Sequence, residues 1–146
     1  MITFFENTNT KTICFSQGGD HIGGFSGIKL KRKAMNSFLC SIDRPFQFVG
    51  SINEDVNTYV TLGSRGDLFF TFTNIQLDQK DTQSNKGGMT DEYALTGTYV
   101  KSFHSVMMHP SGVKISMMNT NNTRLHHSIK WINTTPCIIE DKHKKL

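Results

Sequence analysis

The sequence predicts a single domain of α/β or α+β class built on one mixed sheet, and three observations carry that reading. The 146 residues suit one domain of about 100–200 residues. Strand-like and helix-like segments alternate along the chain, as they do in mixed folds. Aromatic mass supplies the core, with eleven Phe against one Trp. A composition of 36% hydrophobic and 19% charged residues excludes a coiled coil, a collagen-like chain and a fully disordered tail. No repeat or composition break divides residues 1–146.

The elements follow in order. Residues 1–12 are polar and uneven and predict a mobile start. Ile13-Cys14-Phe15 reads as a short strand. Residues 17–27 carry Gly18, Gly19, Gly23, Gly24 and Gly27, a loop whose backbone can approach a ligand closely. Residues 28–38 are basic with apolar residues interleaved, and read as a strand running into a helix. Asp43-Arg44-Pro45-Phe46 is a turn, and residues 46–49 alternate like the end of a strand. Ser51 or Asn53 then caps a helix whose first turn holds Glu54 and Asp55, where the macrodipole favours carboxylates. Val56, Tyr59 and Val60 give it one apolar face, and Gly63 and Gly66 stop it. Residues 68–77 are the clearest strand. After a polar stretch, Thr90 reads as the cap of a helix ending before Pro110. Residues 113–118 and 125–131 predict two further strands, and the charged 140–146 tail a mobile end.

No basic leader followed by an apolar stretch opens the chain, and no apolar run approaches the ~20 residues of a bilayer span. The expectation is therefore a protein without membrane association. Cys14, Cys40 and Cys137 are odd in number and scattered, which points to a reducing, cytoplasmic setting. A net charge of +4 is compatible with a nucleic-acid partner.

Each chemically suggestive group has a plainer alternative. Glu54-Asp55 could supply a general base, or only compensate the helix dipole. His126 and His127 fall on a strand and alternate between its faces; one could ligate a metal, or one could be buried and the other solvated. The spacing to Cys137 and His143 matches no zinc pattern. Lys29, Lys31, Arg32 and Lys33 could contact phosphate, or form a solvated charged face. Arg65-Gly66-Asp67 reads as a helix-ending turn.

The order of these features resembles the C-terminal, acceptor-side half of GT-A-type nucleotide-sugar glycosyltransferases. More narrowly, it resembles the phage glycosyltransferases encoded beside TET/JBP-type dioxygenases. The likeness rests on the Gly23–Gly27 loop, Asn53-Glu54-Asp55, the 82–93 stretch TQSNKGGMTDEY, Tyr99-Val100-Lys101-Ser102 ahead of Pro110, and His126/His127. It spans roughly residues 17–131. The resemblance implies sugar transfer from a UDP-sugar to a hydroxymethylated base in phage DNA, in the host cytoplasm. It implies Asp55 as base of an inverting reaction with Glu54 beside it. Gly23, Gly24 and Gly27 would shape the donor and acceptor site. His126 or His127 would hold a divalent metal, Mn²⁺ or Mg²⁺, with the diphosphate. The D-x-D motif of such enzymes is absent from this sequence, so a second chain supplying the nucleotide-binding half is expected. The runner-up is a non-catalytic basic DNA-binding or protein-interaction module; a metal-dependent nuclease is a third.

Overall fold

Leu68–Gln76 is a run of β-branched and aromatic residues, and it becomes the strand on which the fold is built. In the computed structural model, which describes residues 1–16, 28–29, 37–78, 91, 95–96, 98–119 and 123–136, the strands in chain order are β1 (Thr10–Ser16), β2 (Ile28–Lys29), β3 (Phe38–Cys40), β4 (Leu68–Gln76), β5 (Val113–Met118) and β6 (Arg124–Ile129). The helices are α1 (Ile2–Glu6), α2 (Glu54–Ser64), α3 (Tyr99–Met108) and α4 (Trp131–Thr134). Four strands form a mixed sheet in the order β2-β4-β1-β3, with β4 parallel to β1 and the outer pairs antiparallel. β5 and β6 form a separate antiparallel hairpin. The fold is a single small α+β domain.

Strand alternation distributes the aromatic mass to both faces of β4. Leu68 and Phe70 pack with Ile13 and with Phe5 of α1. Phe69, between them, packs on the opposite side with Val56, Tyr59 and Val60 of α2 and Val113 of β5. Edge-to-face pairs hold both sides: Phe4 on Phe70 at 5.3 Å, and Phe46 on Phe69 at 5.7 Å. Because β1 and β4 are covered on both faces, their threonines are buried as well.

The expected helix opening at Glu54 and Asp55 and the strands expected at 68–77 and 113–118 are present, as Glu54–Ser64, Leu68–Gln76 and Val113–Met118. Other segments differ from expectation. Residues 1–12 are not a loose end: they hold α1 and the start of β1. Phe5 is buried, and the Arg44 guanidinium lies 4.4 Å from its ring centre while donating to the Phe5 and Thr8 carbonyls. Residues 46–49 form no strand. The Val49 N–H donates to Thr58 Oγ1 at 2.9 Å, so that donor goes to a side chain rather than a ladder. Gly63 does not end α2 but lies within it, where a methyl group would collide with the Thr134 carbonyl. The chain turns instead at Arg65-Gly66, with Gly66 at φ +107°. Trp131 leaves the last strand for α4 and stacks on Tyr59 at 5.6 Å. The 17–27 loop, residues 30–36, the Thr90 cap and the 140–146 tail lie outside the described residues. No helix among the described residues is long and apolar enough to cross a membrane.

Candidate functional site

The start of α2 is where three distant parts of the chain meet. Asn53 occupies the N-cap position in the left-handed conformation, φ 57°, which Asn tolerates better than most residues. Its side chain makes no capping bond. It reaches across to α3 and β6 instead, with Nδ2 2.6 Å from Ser105 Oγ and 3.4 Å from His127 Nδ1. One turn further along α2, Asn57 Nδ2 donates to the Ile52 carbonyl at 3.0 Å and lies 3.3 Å from His104 Nδ1. Both asparagines are buried, at 4% and 1% exposure, and the amide oxygens of both have no donor among the described residues.

Gly50 closes the seam from the loop side. A methyl group there would come within 2.8 Å of the His104 ring and 3.0 Å of Asn57 Nδ2, and its φ of +80° favours glycine independently.

α3 reaches this seam with its polar side inward. Ser102 and Ser105 are buried, whereas Tyr99, Phe103 and Met107 form an exposed stripe at i, i+4 and i+8. Small side chains at 102 and 105 let α2 approach and leave room for the amide–imidazole contacts.

The two carboxylates are disposed differently. Glu54 is exposed. Asp55 is half-buried, and its Oδ1 accepts the Val56 N–H at 2.7 Å, so the carboxylate is turned along the first turn of its own helix. His126 and His127 do not separate as simple alternation predicts. The His126 ring folds back, with Nδ1 2.9 Å from the His127 carbonyl, and the ring centroids are 4.1 Å apart. Among the described residues no group of three or more His, Cys, Asp or Glu is placed to hold a metal ion.

Thus the structure joins the Asn53-Glu54-Asp55 stretch to His127 and to the 99–108 helix. Gly23, Gly24, Gly27, Lys31, Arg32 and Lys33 lie outside the described residues. Lys29 is placed only by its backbone, paired with Thr71. Sequence reasoning missed Asn57, His104 and Ser105. The available signal was the i, i+4 spacing of Asn53 and Asn57, two amides on one face of the helix.

A family model described as TET-Associated Glycosyltransferase matches residues 1–88. No curated protein and no solved structure matches the chain.

Proposed function

The chain belongs to the TET-associated glycosyltransferase family, and from that premise we propose that it takes part in transferring a sugar from a UDP-sugar to a hydroxymethylated base of phage DNA, together with a second chain that supplies the nucleotide-binding half. The supporting observation is the contact between Asn53 and His127, which brings two motifs 74 residues apart to one place. In this reading Asp55 is the base. It takes the proton of the acceptor hydroxyl as that oxygen attacks the anomeric carbon, and the bond to the nucleotide diphosphate breaks on the opposite side. Asp55 suits the role better than Glu54 because it is half-buried, whereas Glu54 is exposed.

Gly23, Gly24 and Gly27 would shape the donor and acceptor site, and Lys29, Lys31, Arg32 and Lys33 would contact the DNA backbone. A divalent cation bound with the donor would offset charge on the departing diphosphate. The described residues offer no complete ligand set for it.

The test is calorimetry of a UDP-sugar with Mn²⁺, followed by transfer to hydroxymethylated DNA. Asp55→Asn is expected to keep donor binding and lose transfer. If duplex DNA bound with a steep salt dependence while no UDP-sugar bound at millimolar concentration, the non-catalytic DNA-binding module would replace this reading.

A further inference from the structure

The charge of the chain is unevenly placed. In the sequence, residues 93–139 hold four cations, Lys101, Lys114, Arg124 and Lys130, and no carboxylate. Of the 16 Lys and Arg, the other twelve are matched by all 12 Asp and Glu, so the net charge of +4 belongs to this segment. Its described elements are α3, the β5–β6 hairpin and α4.

The hairpin has two unlike faces. Val113 and Ile129 are cross-strand partners and pack into the core, and strand alternation turns Ile115 and His127 the same way, toward α3. Lys114 and Ser116 of β5 and Arg124 and Ser128 of β6 therefore stand on the other face, and all four are exposed. Lys130, also exposed, extends the ribbon: its N–H donates to the Gly112 carbonyl at 2.7 Å, beyond the Val113–Ile129 pair. Among the described residues Lys114, Arg124 and Lys130 have no carboxylate partner; Arg124 Nη2 lies 3.8 Å from Met118 Sδ. Lys114 sits opposite Ser128 and Arg124 opposite Met118, so no two cations oppose each other across the strands. At ~3.4 Å per residue the stretch from Arg124 to Lys130 runs about 20 Å. That is the rise of about six base pairs along a duplex backbone. Lysines on exposed strands also deter edge pairing. A surface charged only for solubility mixes both signs, however, and this one carries a single sign.

We propose that the outer face of the β5–β6 hairpin is a contact surface for the sugar-phosphate backbone of duplex DNA. Lys114, Arg124 and Lys130 each meet a phosphate, and the Ser116 and Ser128 hydroxyls between them donate to phosphate oxygens. No Phe, Tyr or Trp stands on this face. Unpaired bases have no ring to stack on there, which favours a duplex over a single strand. The surface lies on a different sheet from Lys29 of β2. Contacts of this kind position the duplex without reading its sequence. That the duplex is the acceptor of sugar transfer rests on the glycosyl-transfer reading; the charge pattern does not.

The experiment is fluorescence anisotropy of the full chain with a labelled DNA duplex, at salt concentrations between about 50 and 200 mM. Lys114→Gln, Arg124→Gln and Lys130→Gln are made singly and together. Arg65→Gln, at an exposed cation just after α2, is the control of equal charge change. Each hairpin substitution should reduce the slope of log K against log salt by about one, and the triple variant by about three, with the urea midpoint unchanged. Arg65→Gln should leave the slope as it is, and the unpaired strand should bind more weakly than the duplex. A wild-type slope in the triple variant, an equal fall with Arg65→Gln, or tighter binding of the unpaired strand would overturn the proposal. So would failure of the wild-type chain to bind duplex while it binds vesicles of anionic lipid through the same three cations. Hairpin-dependent duplex binding without sugar transfer sinks only the transfer reading; transfer to duplex that the triple variant retains in full sinks only the hairpin surface.

Discussion

The two sides of β4 are both buried but are built from different chemistry. On the α1 side, Phe4, Phe5, Ile13, Leu68, Phe70 and Phe72 pack as a nearly pure hydrocarbon cluster. On the α2 side, Val56, Val60 and Phe69 make a comparable apolar layer, but it gives way toward the start of the helix to Asn53, Asn57, Ser102 and Ser105. Apolar packing asks only for volume and shape. Buried amides ask for partners at set distances, and two amide oxygens here have none among the described residues. The first side is what a stable sheet requires; the second carries a cost that stability alone does not explain.

The sharpest way to break that comparison is to alter one residue on each side. Asp55→Asn should lower sugar transfer by about 10²–10⁴-fold, the usual contribution of a general base, while the urea midpoint stays near that of the wild type. Phe70→Ala should cost about 3–5 kcal/mol in urea denaturation through the cavity it leaves, and should lower transfer only in proportion to unfolded chain. If Asp55→Asn unfolded the protein while Phe70→Ala did not, the division of labour between the two sides would be wrong.

A smaller effect tests how tightly the α2 side is closed. Gly63→Ala places a methyl group against the Thr134 carbonyl and should cost about 1–3 kcal/mol by overpacking, read as a fall in urea midpoint. Gly66→Ala has open space around it, so any loss there reports only its φ of +107°. Equal losses at both positions would mean that α4 is not firmly seated on α2.

Cys14 tests the face of β1 opposite Ile13. Burial pushes its thiol from 9.0 up to about 12, against a smaller opposing effect of the Thr12 hydroxyl 3.6 Å away. The folded state thus favours the neutral thiol. That contribution to stability is complete below about pH 9 and is lost as pH rises from 9 towards 12. Thiol labelling at pH 8 should modify exposed Cys40 and spare Cys14 until the chain unfolds. Between pH 9 and 11, Cys14→Val should lose less stability than the wild type. The smallest effect is expected at Lys11–Asp67, a partly exposed pair 3.9 Å apart: Lys11→Met should change stability by less than about 0.5 kcal/mol.

Much of the fold was legible in the sequence because it depends on neighbours a few residues away. The 3.6-residue spacing of Val56, Tyr59 and Val60 marked α2, and the β-rich run at 68–77 marked β4. α1 and β3 were not legible, since a five-residue helix and a three-residue strand form only where something packs on them: the buried ring of Phe5 in one case and pairing with β1 in the other. α3 was legible as a helix, but its orientation was not. The fold buries Ser102 and Ser105 and leaves Tyr99, Phe103 and Met107 exposed.

The candidate site divides in the same way. The sequence by itself determined that Asn53, Glu54 and Asp55 open a helix and that two adjacent histidines fall on a late strand, and through the order of its motifs it pointed to the family. Only the tertiary structure decided that His127 rather than His126 meets Asn53, that Asn57 and His104 join them, and which imidazole nitrogen faces each amide. The reason is physical. Helical period and capping are set by backbone geometry over one or two turns, whereas contacts across 52 and 74 residues exist only once α2, α3 and β6 have packed.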